Sequence, residues 1–134
     1  MSARSKARKR ALDVLYASEM RQRSTEEGLA ELSEAGPVND YTLVLVRGVT
    51  EHRARCDEVI ATYAEGWTLE RMPAVDRNVL RMAVFEVLFV DDVPEAVAVS
   101  EALNLVRELS TDESPAFVNG VLGNIVRDRA TLAG

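Results

Sequence analysis

The 134-residue chain has one cysteine, Cys56, one histidine, His52, and one tryptophan, Trp67. A single cysteine excludes a disulfide framework and any all-cysteine zinc site. Lysine is scarce as well, with only Lys6 and Lys9, both in the first ten residues. No apolar run approaches the ~20 residues of a membrane span. The basic N-terminus lacks an apolar stretch followed by a small-residue cleavage site, so no secretory signal is expected. A phosphate-cradling glycine loop, GxGxxG and HExxH are all missing. These absences point to a cytoplasmic protein that is not an enzyme and that holds no cofactor or metal.

Hydrophobic residues make up 47% of the chain and charged residues 28%, the balance of a globular domain rather than a disordered one. At this length a single core buries roughly two-thirds of the unfolded surface without help from disulfide or metal. The net charge of −6 conceals an asymmetry. Residues 1–23 carry seven basic groups against two acidic ones, a balance of +5. Residues 24–134 carry nine basic and 20 acidic groups, a balance of −11. A basic arm on an acidic body suits nucleic acid, with binding confined to one edge; a solubilising tail is the bland alternative.

The periodicity is helical almost throughout. In the segment 5–20, Ala7, Ala11, Val14, Leu15 and Ser18 form one stripe, while Lys6, Lys9, Arg10 and Asp13 face the other way. Tyr16 falls within about 20° of Lys9 on the helical wheel. A second helix is expected over 25–35, opened by Ser24 or Thr25 and closed by Gly36-Pro37. Asn39 or Asp40 can cap a third, long helix running to Gly66. Pro73, Pro94 and Pro115 each stand where a first helical residue would be, with Ser114 as an N-cap candidate. The run VLRMAVFEVLFV between Pro73 and Asp91 is apolar over most of its circumference, which marks a central helix. The expected fold is all-α: a helical bundle of two small packed subdomains, 1–66 and 67–134.

Few side chains advertise chemistry. His52 and Cys56, four apart on one helix, have the spacing of a two-ligand clip or a thiol–imidazole pair. Two ligands do not complete a zinc site, so the pair reads as core. Glu86 projects among Val75, Val79, Met82 and Val90, where a lone carboxylate would be costly. It is expected to be structural, accepting from a buried arginine or a helix N-terminus. Tyr16 and Phe117 sit at the rims of their apolar stripes, where a ring can stack on an unpaired base. Core packing explains either ring alone equally well. Gly120 and Gly123 lie off the apolar stripe of the last helix, each unfavourable by roughly 1 kcal/mol relative to alanine, and suggest a close approach by another helix or a ligand.

The segments ARKRALDVLYASE, GWTLERMPAVDRNVLRMAVFEVLF and DDVPEAVAVSEALNLVRELSTDESPAFVNGVL together resemble the NusB transcription antitermination family, in its actinobacterial form, over almost the full length. The resemblance implies an all-helical NusB-like bundle. It further implies binding of single-stranded boxA RNA in nascent rRNA transcripts together with NusE, a small-subunit ribosomal protein. The assembly would act on RNA polymerase and suppress premature termination. By the same resemblance, Arg4, Lys6, Arg8, Lys9, Arg10, Tyr16 and Phe117 would face RNA. Asp76 and Glu113 would lie at the NusE surface, and some members pair as homodimers that cover the RNA site. The chain departs from the family at Pro115 and Ala116, where some relatives carry polar and basic residues, which removes phosphate and base contacts.

Two other classes compete. A helical protein-binding adaptor would use the basic helix against an acidic partner. An RNA-binding domain related to rRNA cytosine methyltransferases shares the fold, but that enzyme adds a methyl-donor domain and catalytic cysteines, and these residues hold only Cys56.

Overall fold

The computed structural model describes residues 2–132 and contains, among them, eight α-helices and no strand. They are α1 (Ala3–Arg21), α2 (Thr25–Glu34), α3 (Asp40–Glu51), α4 (Arg53–Tyr63), α5 (Ala74–Phe89), α6 (Glu95–Leu109), α7 (Ser114–Arg127) and α8 (Arg129–Leu132). A single 3-10 turn, Leu69–Arg71, lies between α4 and α5. The all-α expectation holds. Among the described residues no helix is long and apolar enough to cross a membrane.

Local chemistry sets the helix starts. The Ser2 hydroxyl accepts the Ser5 N–H, the Ser24 hydroxyl accepts the Glu27 N–H, and Asn39 Oδ1 accepts the Tyr41 N–H at 2.8 Å. Each satisfies a donor that the helix itself leaves free. Pro73 and Pro94 occupy the capping position just before α5 and α6 rather than the first helical residue, and Pro115 is the second residue of α7. Ser114 is the first residue of α7 and does not cap it, because its hydroxyl is engaged elsewhere, as described below.

α5 is the central element. Asp76 and every residue from Asn78 to Val87 are buried, and α1, α3, α4, α6 and α7 all pack on it. Burial on all sides explains why its sequence shows no polar face.

The expected long third helix is two helices. His52 breaks it at φ −102°, ψ 17°, and its ring stacks on Phe89 at 4.0 Å between centroids. Backbone hydrogen bonds continue on both sides, from His52 N–H to Gly48 O and from Cys56 N–H to His52 O, each 2.9 Å. The helical hydrogen-bond ladder is interrupted at His52, where α3 ends and α4 begins. Gly48 is the companion of this break, because a Cβ there would overlap the ring of Phe85. No close approach is made to Gly120 or Gly123 among the described residues, where a Cβ at either position meets nothing within 4 Å.

Candidate nucleic-acid interface

The start of α1 carries the basic residues, but the structure divides them into three groups. Lys6 and Arg10 are exposed and make no ion pair among the described residues. They flank an open groove of about 430 Å³ whose floor includes Ala7, Leu32 and Val38. Arg4 and Lys9 are partly exposed and paired with acids of the C-terminal half, Arg4 with Asp92 at 2.9 Å and Lys9 with Glu108 at 2.6 Å. Such surface pairs are worth little and exchange readily for another anion.

Arg8 is different, and here the surface expectation is corrected. Its side chain is 3% exposed and points inward, where it meets Glu86, itself 2% exposed. Arg8 Nε donates to both Glu86 oxygens at 3.2 and 3.0 Å, and a second guanidinium nitrogen lies 2.9 Å from Oε2. Glu101 stands 3.4 Å away on the other side. The Tyr41 hydroxyl donates to Glu86 Oε2, and burial together with that carboxylate pushes the phenol well above its ordinary range. Burial alone would pull the Arg8 guanidinium down, but Glu86 outweighs it and the group stays above its ordinary value. Glu86 is thus the structural acid expected, and its donor is one of the arginines first assigned to RNA.

A second charged network ties α1 to α4 and α5. Glu19 accepts from Arg77 Nε at 3.0 Å and from Arg81 Nη1 at 2.7 Å, and Arg81 Nε donates to Asp57 at 2.7 Å. Burial raises the Glu19 carboxyl, yet the two arginines hold it below the usual carboxylate range. Arg77 also donates to the carbonyls of Leu69 and Met72, at 2.8 and 3.1 Å. The segment between α4 and α5 is therefore clamped to α1.

That segment carries Trp67, which follows a turn that Gly66 makes at φ +79°, a conformation glycine adopts without strain. Trp67 is 50% exposed, and its ring meets Phe117 at 6.1 Å with 60° between planes. The two rings, Arg71, Pro73, Thr111 and Glu113 line an open cleft of about 410 Å³. The sequence reading gave Trp67 no role, although a lone tryptophan after a glycine in a polar loop was the available signal.

Asp76 also lines this cleft, and its carboxylate is engaged by hydroxyls of the chain itself. It is 2% exposed, and its oxygens accept from the hydroxyls of Ser110 at 2.6 Å and Ser114 at 2.8 Å. Ser114 in turn accepts the Thr111 N–H at 3.2 Å. Asp76 thereby fixes the α6–α7 connection and the start of α7, from which Phe117 projects. Glu113 is exposed at that start. Tyr16 is 40% exposed on α1 and shares the outer face with Lys9. Cys56 is buried, its thiol pushed up to about 12 by burial, so it stays protonated and inert at neutral pH. His52 is committed to the Phe89 stack.

Comparison with known proteins agrees along the whole chain. The NusB family model matches residues 5–127. A transcription antitermination protein NusB from a Nocardioides species is 64% identical over 138 residues, covering 99% of this chain and 100% of that protein. The protein of the same name from Saccharopolyspora erythraea is 54% identical over 145 residues, covering 100% and 96%. Among solved structures, T. maritima NusB superposes with a TM-score of 0.89 at 33% identity, covering 96% of this chain and 94% of that one. A chain from a complex of the antitermination factors NusB and NusE with dsRNA superposes with a TM-score of 0.83 at 28% identity, covering 92% and 96%.

Proposed function

The chain belongs to the NusB family, and from that premise we propose how this transcription antitermination protein engages its RNA and its partner. It works as a binding factor and not as an enzyme. In the cytoplasm it binds the single-stranded boxA element of nascent rRNA transcripts together with NusE, and the complex acts on RNA polymerase to suppress premature termination. The N-terminal half, 1–66, contributes the basic edge and the C-terminal half, 67–134, contributes Phe117.

One observation carries the reading. Lys6 and Arg10 are exposed and make no ion pair among the described residues, on a molecule whose net charge is −6. Their charge is free to neutralise phosphates, and the acidic body confines the RNA to that edge. Arg4 and Lys9 join when phosphates replace Asp92 and Glu108. Tyr16 and Phe117 offer ring faces to unpaired bases. Arg8 acts from within by holding α1 against α5, and Asp76 by holding the start of α7. Glu113, exposed beside Phe117, is assigned to NusE. Titration of labelled boxA RNA against the protein, with and without NusE, tests the reading. Saturable binding strengthened by NusE supports it, and no RNA binding at low salt even with NusE refutes it in favour of a protein-only adaptor.

A further inference from the structure

We propose that the cleft between Trp67 and Phe117 is a binding site for one unpaired RNA base, with Trp67 as a stacking ring. The inference rests on the RNA-binding reading above and adds to it a site and a residue. An indole left 50% exposed beside a second aromatic is an unusual expense of apolar surface, since Trp is highly buried on average. The rings meet at a 60° tilt rather than closing into a stack, and half of the indole surface stays exposed. The cleft of about 410 Å³ falls within the ~300–1,000 Å³ range of small-ligand sites.

The charges around the cleft select what enters. Glu113 is exposed at one wall, and its carboxylate keeps a phosphate out of the cleft. Arg71 lines the cleft as well, is exposed and makes no ion pair among the described residues, so it is available to the phosphate that stays outside. Both sides of the cleft are held in place before any ligand arrives. Arg77, clamped by Glu19, fixes the segment carrying Trp67 through the carbonyls of Leu69 and Met72. Asp76 fixes the α7 start carrying Phe117 through Ser110 and Ser114. A base therefore meets a site that costs little to order.

Trp67 is the only tryptophan, so its fluorescence reports this cleft alone. The full chain is titrated with boxA RNA, with and without NusE, while indole emission and the anisotropy of labelled RNA are followed in parallel. The Trp67→Phe protein supplies the background. Saturable quenching with the same midpoint as the anisotropy is expected. Trp67→Ala should bind boxA about tenfold more weakly with an unchanged salt slope, because stacking is largely independent of salt. Trp67→Phe should keep most of the affinity. RNA binding by anisotropy with no change in indole emission, and full affinity in the folded Trp67→Phe and Trp67→Ala proteins, would overturn the site while leaving the RNA-binding function standing. An emission change with NusE alone and none with RNA would reassign the cleft to the protein partner and equally overturn it. Absence of RNA binding by anisotropy would overturn both.

Discussion

Replacing Glu86 with alanine should destabilise the protein by about 3–5 kcal/mol, because it leaves a guanidinium in the core without its main counter-charge. Arg8 and Glu86 are 3% and 2% exposed, so water cannot take over for the lost carboxylate. Glu101, at 3.4 Å and 21% exposed, offers Arg8 partial compensation and pulls the expected value toward the lower end. Tyr41 works the other way, since its hydroxyl loses its acceptor, a loss of about 1–3 kcal/mol for a buried donor. At roughly 3–5 °C per kcal/mol for a domain of this size, the melting temperature should fall by roughly 10–20 °C. Glu86→Gln keeps an acceptor oxygen and should lose less. The double variant Arg8→Met with Glu86→Leu removes both charges and should be more stable than Glu86→Ala alone, the signature of a buried pair. Urea unfolding followed by circular dichroism measures the parent and all three variants. If Glu86→Ala unfolds within about 0.5 kcal/mol of the parent, the range of a surface substitution, the buried-pair argument fails.

Cys56 should resist a thiol reagent at pH 8 in the folded protein and react only at the rate of unfolding, since its thiol is raised to about 12 and enclosed; rapid reaction without urea would contradict this. Glu19 has a folded pKa held below its ordinary 4.5, so its stabilisation is complete above about pH 4.5 and is lost as pH falls through the folded value. The stability of Glu19→Gln should therefore depend less steeply on pH than that of the parent below 4.5, and parallel acid limbs in urea titrations would refute the assignment.

Much of the fold was legible because its signals are local. Ser24 and Asn39 cap where their side chains reach the first free N–H groups, and the breadth of the apolar surface on α5 announced its central place. The need of Glu86 for a donor could also be read from its apolar neighbours. The identity of that donor was within reach too: Arg8 lies one turn before Leu12 and two turns before Leu15, on the buried stripe of α1. The family resemblance assigned it to RNA with its neighbours, and only the fold shows which way the helix turns it. The break at His52 had no local sign, since no proline marks it and the ring that His52 stacks on comes from α5. Trp67 and Phe117 are distant in sequence, and their meeting depends on how Arg77 and Asp76 fix two separate connections. Contacts of that kind are properties of the assembled core and carry no periodicity to read.

The central claim, that the unpaired cations of α1 hold the RNA, is tested most directly by the salt dependence of boxA affinity in the Lys6→Ala, Arg10→Ala protein with NusE present. Each phosphate neutralised on a single strand contributes about −0.7 to the slope of log affinity against log salt. Loss of two such contacts should make the slope shallower by about 1.4, with the melting temperature unchanged because both side chains are exposed and make no ion pair among the described residues. A slope equal to that of the parent would show that Lys6 and Arg10 touch no phosphate and would contradict the claim that these two cations hold the RNA.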